Sequence, residues 1–282
     1  MYKKIINIFG WIILLTIISY GYWSVHLKNE KKIAQGTPVE VSFLELKEDA
    51  DCILIQQGEI NVLIDTGEKQ DAQKIVNYLQ KKNVSCIEYL ILTHPDLDHI
   101  GGAMDVIDNF KVKNIIQSYY PKGNKELEKL NEKIKIQGIP IIYPTLTRRF
   151  SIGEMNILVY PPLEKYYIKD NNYSLVTLIK HGKVNMLFAG DAEKKRLEEM
   201  MLINWQNIDL YKIPHHGRAN INSERFIRIL NPAYAVVTSK NADEIIKETC
   251  KDINTQVFYT GSGDKVFYSN GDVLNFGHIL SK

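Results

Sequence analysis

Two histidines and two carboxylates crowd into six residues of the run THPDLDHIGG, where His94, Asp96, Asp98 and His99 follow the apolar stretch IEYLIL. Groups that resist leaving water thus gather at the end of a segment that reads as a buried strand. A strand that stays extended would send His94, Asp96 and Asp98 to one side, because its side chains alternate between faces. His99 would add a nitrogen from the entrance of the next helix. A divalent cation makes two close carboxylates tolerable, and imidazole beside carboxylate is a donor set such ions accept. Gly101 and Gly102 leave room for another stretch of backbone to approach. Read alone, the run would also serve as a polar helix start, with Asp98 capping and both histidines in water.

Two further strand ends carry similar groups. LFAGD places Asp191 after an apolar run and before a helix, a position that also suits an N-cap. KIPHHG closes a strand with His215 and His216. Four of the seven histidines therefore stand in two strand-end loops, whereas His26, His181 and His278 lack carboxylate company and read as juxtamembrane, turn and tail residues.

The elements that must position these loops alternate. Strands are expected over 39–46, 51–57 and 60–65, the last two joined at Gly58 and Glu59 as a hairpin. A helix over 69–82 leads to a strand at 86–92, and a helix over 101–110 follows the histidine-bearing loop. The first half closes with a strand at 112–117, a helix at 125–136 and a strand at 139–143. The second half opens with strands at 155–160, 174–180 and 183–189, the latter two joined at His181 and Gly182. Helices at 192–202, 223–230 and 242–251 then alternate with strands at 208–213, 233–238 and 256–259, before final strands near 265–268 and 273–276. Two mixed sheets packed together with helices outside follow from this pattern, a four-layer α/β arrangement.

With 45% hydrophobic and 24% charged residues, the 282-residue chain can bury a large core and contains no low-complexity segment. The N-terminus differs in kind. Residues 5–25 carry no charge, about the 20-residue length that spans a bilayer, with Tyr20, Tyr22 and Trp23 placed as an interfacial belt. The expected organisation is a basic tail at 1–4, a transmembrane anchor at 5–25, a linker at 26–37 and one domain over 38–282. A cleaved signal peptide is the rival reading, since Lys3 and Lys4 precede the apolar run and Ser19, Tyr20 and Gly21 form a small-x-small pattern. Lysines flank the apolar run on both sides in near balance, and the body is assigned to the outer side of the cell membrane. Without Lys3, Lys4, Lys28, Lys31, Lys32 and Glu30, the 35 basic and 33 acidic residues become 30 and 32, a formal charge of −2. That balance lacks the basic excess of an avid, sequence-blind nucleic-acid binder. Cys52, Cys86 and Cys250 stand far apart without a CxxC pair and read as buried free thiols.

Taken in order, LIDTG, THPDLDHIGG, AGD and PHHG resemble the metallo-β-lactamase superfamily, and within it the branch holding the hydrolase domain of the DNA-uptake channel protein ComEC. The likeness runs from about Val39 to Phe276. It implies an αββα sandwich and two divalent metal ions, zinc or manganese. His94 and Asp96 would contribute to one ion, Asp98 and His99 to the other, and Asp191 would bridge them. Of the histidine pair, His216 would be the ligand and His215 the group facing substrate, or the reverse. Asp98 and His215 would be the catalytic pair, and Asp65 would order the loop from behind. The sequence departs from the family in having Asp96 where a histidine is usual. It also has Asp170-Asn-Asn-Tyr-Ser174 where a further metal-binding histidine is usual, so Asn172 and Ser174 become candidates for contact with metal or substrate. Arg218, standing where serine is usual, is a third. The Asn…His-Pro segment expected after Ser239 is missing.

The function implied is hydrolysis, because two such ions activate water near neutral pH and steady the oxygens of an in-line displacement. An oxygen-rich site suits a phosphodiester, including DNA, and the resemblance makes the DNA-uptake machinery a possible partner. A non-catalytic module binding nucleic acid or a channel, and a lactonase-type carbonyl hydrolase, are the alternatives.

Overall fold

The computed structural model describes residues 36–277. The basic tail, the 5–25 anchor and nearly all of the linker lie outside the described residues. Among the described residues no helix is long and apolar enough to cross a membrane.

Short runs of β-branched and aliphatic residues supply the strands. Val39–Phe43 (β1), Ile53–Gln57 (β2) and Ile60–Ile64 (β3) form an antiparallel meander. The 86–92 strand is split into Cys86–Ile87 (β4) and Tyr89–Leu92 (β5), and the 112–117 strand into Lys111–Val112 (β6) and Ile115–Gln117 (β7), with β4 and β6 pairing apart from the main sheets. Ile141–Ile142 (β8) ends the first half. The second half takes Arg148–Ile152 (β9), Met155–Tyr160 (β10), Val176–His181 (β11), Val184–Phe188 (β12), Leu210–Lys212 (β13), Tyr234–Val237 (β14) and Gln256–Tyr259 (β15). Lys265–Ser269 (β16) and Leu274–Phe276 (β17) then return to the first sheet.

The eight-stranded sheet has the order β17-β16-β1-β2-β3-β5-β7-β8, and the seven-stranded sheet β15-β14-β13-β12-β11-β10-β9. The alternation of side chains along each strand decides which layer a residue enters. Ile53 and Ile55 face the core between the sheets with Ile157, Ile179, Met186 and Phe267, while Leu54 between them faces outward. The outer face of the first sheet is covered by the helices Ala72–Lys81 (α1), Ala103–Asn109 (α3) and Lys125–Ile136 (α4), through Ile75, Leu79, Val106 and Leu130; Leu97–Ile100 (α2) precedes α3. Lys194–Met200 (α5), Ser223–Leu230 (α6) and Glu244–Asp252 (α7) cover the second sheet through Leu197, Phe226 and Ile246. The expected four layers are present.

Three expectations need correction. The charged edge strand β9 is absent from the sequence reading, because RRFSI has too little apolar character to announce a strand; it is exposed and held by pairing to β10. The helix expected over 101–110 begins earlier, as α2, and pauses at Gly101 and Gly102. His181 has carboxylate company after all. It ends β11 buried, its Nδ1 2.8 Å from Ser269 Oγ and its Nε2 3.8 Å from Glu154 Oε2. The three cysteines are free and buried, as expected.

Candidate metal centre

Strands β3, β5 and β7 run parallel in one sheet, and β12, β13 and β14 in the other. The loops leaving the carboxyl ends of parallel strands are where α/β sheets place their sites. Asp65 follows β3, His94 follows β5, Asp191 follows β12, His215 and His216 follow β13, and Thr238 follows β14. Sequence separations of a hundred residues or more close here, as between His216 and Asp98.

The histidine-bearing loop does not stay extended. It turns into α2 at Leu97, with Asp96 at the N-cap making no side-chain capping bond. Asp98 and His99 therefore come from the first turn of a helix, and the alternation expected for three residues holds only as far as Asp96. Gly102 explains how the turn fits, since a Cβ there would sit 2.3 Å from the Thr66 carbonyl oxygen. Thr66 N and Oγ1 in turn donate to the His99 carbonyl at 2.7 and 3.0 Å.

Asp65 holds this loop from behind. Its backbone takes a left-handed φ of 57°, a conformation that Asp tolerates better than most residues. Its carboxylate accepts from Thr93 N at 2.8 Å, from Thr93 Oγ1 at 2.7 Å and from His99 Nδ1 at 2.8 Å. With Nδ1 occupied, His99 presents Nε2 to the cluster, 3.2 Å from Asp191 Oδ1 and 3.7 Å from Asp98 Oδ2.

The His-His pair is resolved by backbone conformation. His215 and His216 take φ values of 51° and 52°, which cost on the order of 1–2 kcal/mol per residue outside glycine. The strain throws the two rings apart. His216 is buried, its Nδ1 3.0 Å from Thr238 Oγ1 and its Nε2 3.1 Å from Asp98 Oδ2 and 3.3 Å from Asp191 Oδ2. His215 is half-buried at the edge, Nδ1 3.7 Å from Glu193 Oε1. Asp191 lies ahead of α5, whose N-cap is Glu193, so it is not the capping residue.

Asp98, His99, Asp191 and His216 present ligand atoms that all lie within 4.8 Å of one another. His94 stands beside this set, its ring centroid 4.1 Å from that of His99 and its Nε2 3.5 Å from Asp96 Oδ2. The buried Nε2 atom of His94 makes no hydrogen bond, and that of His99 comes within 3.2 Å of Asp191 Oδ1 without the alignment of one, although a buried imidazole nitrogen ordinarily finds a partner. A cation between these nitrogens and carboxylates would satisfy both, so the donor set fits divalent ions.

The electrostatics agree. Burial alone would lower the pKa of His99, but Asp191 and Asp65 raise it well above the usual range. For His216, burial is likewise outweighed by Asp191, Asp51 and Asp98, and the value rises to about 10. Burial pushes Asp191 up, yet His216, His99 and Lys212 hold it well below the usual carboxylate range. The carboxylates thus draw positive charge onto whatever can carry it. His215 differs, because burial lowers its pKa and favours the neutral ring.

Asn172, Ser174 and Arg218 are engaged with protein. Asn172 Oδ1 accepts from Arg196 N at 2.9 Å, and Ser174 Oγ accepts from Asp191 N at 3.0 Å. Buried Arg196 fixes both by donating Nε to the Ser174 carbonyl at 2.8 Å. Arg218 lies on the exposed rim, Nη2 3.2 Å from Asp49 Oδ2. Two buried residues went unnoticed in the sequence, Asp51 and Lys212, whose Nζ and Oδ2 lie 2.5 Å apart. A signal existed for Lys212, since it stands in phase with Leu210 in an apolar strand.

The metallo-β-lactamase superfamily profile matches residues 47–238, and the chain belongs to this superfamily, whose members are in general metal-dependent hydrolases. It is similar to ComE operon protein 3 of Bacillus subtilis, at 30% identity over 199 residues, covering 63% of this chain and 25% of that protein. It is also similar to competence protein ComA of Neisseria gonorrhoeae, at 26% identity over 198 residues, covering 68% of this chain and 26% of that protein. The aligned region spans about a quarter of each relative. Among solved structures, the metallo-β-lactamase fold protein YhfI of Bacillus subtilis superposes with a TM-score of 0.57 at 15% identity, over 82% of this chain and 100% of that one. That likeness concerns the fold.

Proposed function

We propose that this chain is a membrane-anchored hydrolase that uses two divalent ions to cleave a phosphodiester, DNA or another, on the outer side of the cell membrane. The observation that carries the hydrolytic reading is the convergence of Asp98, His99, Asp191 and His216, with His94 and Asp96 beside them, around imidazole nitrogens that lack hydrogen bonds. His94 and Asp96 would hold one ion, Asp98, His99 and His216 the other, and Asp191 both. Ions held there would supply Lewis-acid charge and a water acidic enough to ionise near neutrality.

The remaining work belongs to side chains. Asp65 keeps the His99 tautomer by accepting from Nδ1, as partners behind a ligating histidine do. His215, held towards the neutral form at the edge, can accept or return a proton at Nδ1 or Nε2. The oxygen-rich donor set suits a phosphodiester better than an imidazole-rich one would. Resemblance to competence proteins supports a role beside DNA-uptake machinery, and the apolar run at 5–25 supports anchorage.

Full-length protein in detergent, stripped of metal and reloaded with Mn²⁺ or Zn²⁺, should hydrolyse single-stranded DNA or a simple aryl phosphodiester and leave a lactone untouched. Bound metal with no phosphodiester cleavage would sink the phosphodiesterase reading. Lactone turnover would replace it with carbonyl hydrolysis. Protease added to intact spheroplasts should remove the domain; full protection would place it in the cytoplasm.

A further inference from the structure

Two charged side chains at the centre, Asp51 and Lys212, have no place in the proposed ligand set, and both are buried. Lys212 ends β13, and its Nζ lies 2.5 Å from Asp51 Oδ2, donates to the Gly190 carbonyl at 2.9 Å and stands 3.5 Å from Asp191 Oδ1. Asp51 faces the Nδ1 atoms of His216, at 3.4 Å, and His99, at 3.8 Å. Asp51, Asp65 and His99 present ligand atoms within 4.8 Å of one another, a set that would itself suit a cation. The ammonium already lies against it.

A buried ammonium is costly unless it is closely paired, so its presence here needs a reason. Charge supplies one. Five carboxyl groups, those of Asp51, Asp65, Asp96, Asp98 and Asp191, converge at this end of the sheets. Two divalent ions match four negative charges, and Lys212 matches the fifth. The ions depend on supply, whereas the ammonium is part of the chain.

We propose that Lys212 is an internal cation of the centre, compensating Asp51 and Asp191 before metal arrives, so that the chain folds and persists in the metal-free form. The inference rests on reading the Asp and His cluster as a metal centre. Lys212 is a positioning residue on this view. Its ammonium fixes Asp51 beneath both histidines and tethers the turn that carries Asp191.

Thermal unfolding of the full chain in detergent tests this, with chelator and with saturating Mn²⁺, for wild type, Lys212→Met and Lys212→Met/Asp51→Asn. Lys212→Met keeps the length of the side chain and removes its charge. Its metal-free midpoint should fall by about 10 °C, the scale expected for orphaning a buried charge in a domain of this size. Its loaded midpoint should fall clearly less, since the ions restore positive charge. The double variant, which also removes the orphaned carboxylate, should recover a metal-free midpoint within a few degrees of wild type.

An equal fall in both states would mean that bound ions do not take over the role of the ammonium, and no fall would mean that its charge is idle; either overturns the inference. If Lys212→Met yields no folded metal-free protein, the double variant decides, and its failure to fold without metal overturns the inference as well. A wild-type midpoint indifferent to both Mn²⁺ and Zn²⁺ would instead remove the metal-centre reading on which the inference stands.

Discussion

The two halves of the centre are built to different standards. Around His216, four residues from three loops converge within 4.8 Å, and Asp65, Thr238 and Asp51 stand behind the imidazoles. Around His94 the supply is thinner. Its Nε2 is 3.5 Å from Asp96, whose side chain is 37% exposed, and the side chains at Asn172 and Ser174 are spent on Arg196 and on the Asp191 backbone. The first half is arranged by the fold before any ion enters; the second has solvent at its edge and fewer donors. One half should therefore bind an ion tightly and the other should exchange it.

Asp191 lies against His99 and His216 and is the ligand proposed to be shared by both ions, so its loss should have the largest effect. Asp191→Ala should leave the purified protein with neither ion after dialysis and lower hydrolysis on the order of a thousandfold, since several kcal/mol of charge stabilisation leave with the ions. Retention of two equivalents would remove the shared-ligand assignment.

The next largest effect separates the halves. His94→Ala should keep close to one equivalent of metal, whereas His216→Ala should lose the tighter ion and with it most binding of both. Equal losses from the two variants would show that the halves fill only together.

Protons compete with metal in the better-built half. The pKa of His216 is raised from 6.5 to about 10 in the chain without ions, so its protonated ring favours the folded state. That contribution is fully present below pH 6.5 and is lost as pH rises towards 10. Metal-free protein should accordingly melt at lower temperature at pH 9 than at pH 6.5. Apparent metal affinity should rise over the same interval, with proton release visible by titration in two buffers of different ionisation enthalpy. A metal-free midpoint that climbs with pH would contradict the sign.

Asp96 tests the looser half by a gentler change. Asp96→His exchanges a hard oxygen for imidazole and should shift the activity profile from Mn²⁺ towards Zn²⁺, with metal content little altered. An unchanged profile would mean that Asp96 does not select the ion. Smallest of all is Arg218→Ala at the rim, where the exposed pair with Asp49 is worth about 0–1 kcal/mol. We expect KM to rise by less than about fivefold with metal content and midpoint unchanged. A large loss of metal would place Arg218 deeper in the machinery than its exposure suggests.

Much of this could be read along the chain because the donors sit where strands end. An apolar run followed by His94 or Asp191 is a local pattern, and so is the period of α4 or α6, whose limits the sequence reading reproduced. The β9 strand escaped because sheet pairing, rather than its own residues, makes it a strand. The bend at Leu97 escaped because it depends on close passage of the Thr66 backbone over Gly102.

The sequence by itself determined the layer order and the donor types, since side-chain periodicity and strand-end chemistry are properties of neighbours in the chain. Tertiary structure alone decided which histidine of the pair enters the cluster, through two consecutive left-handed residues after β13. It alone joined Lys212 to Asp51, across two sheets that meet only when the chain is folded. Coulomb interactions in a buried site depend on distance through space, and separation along the chain carries little information about that distance.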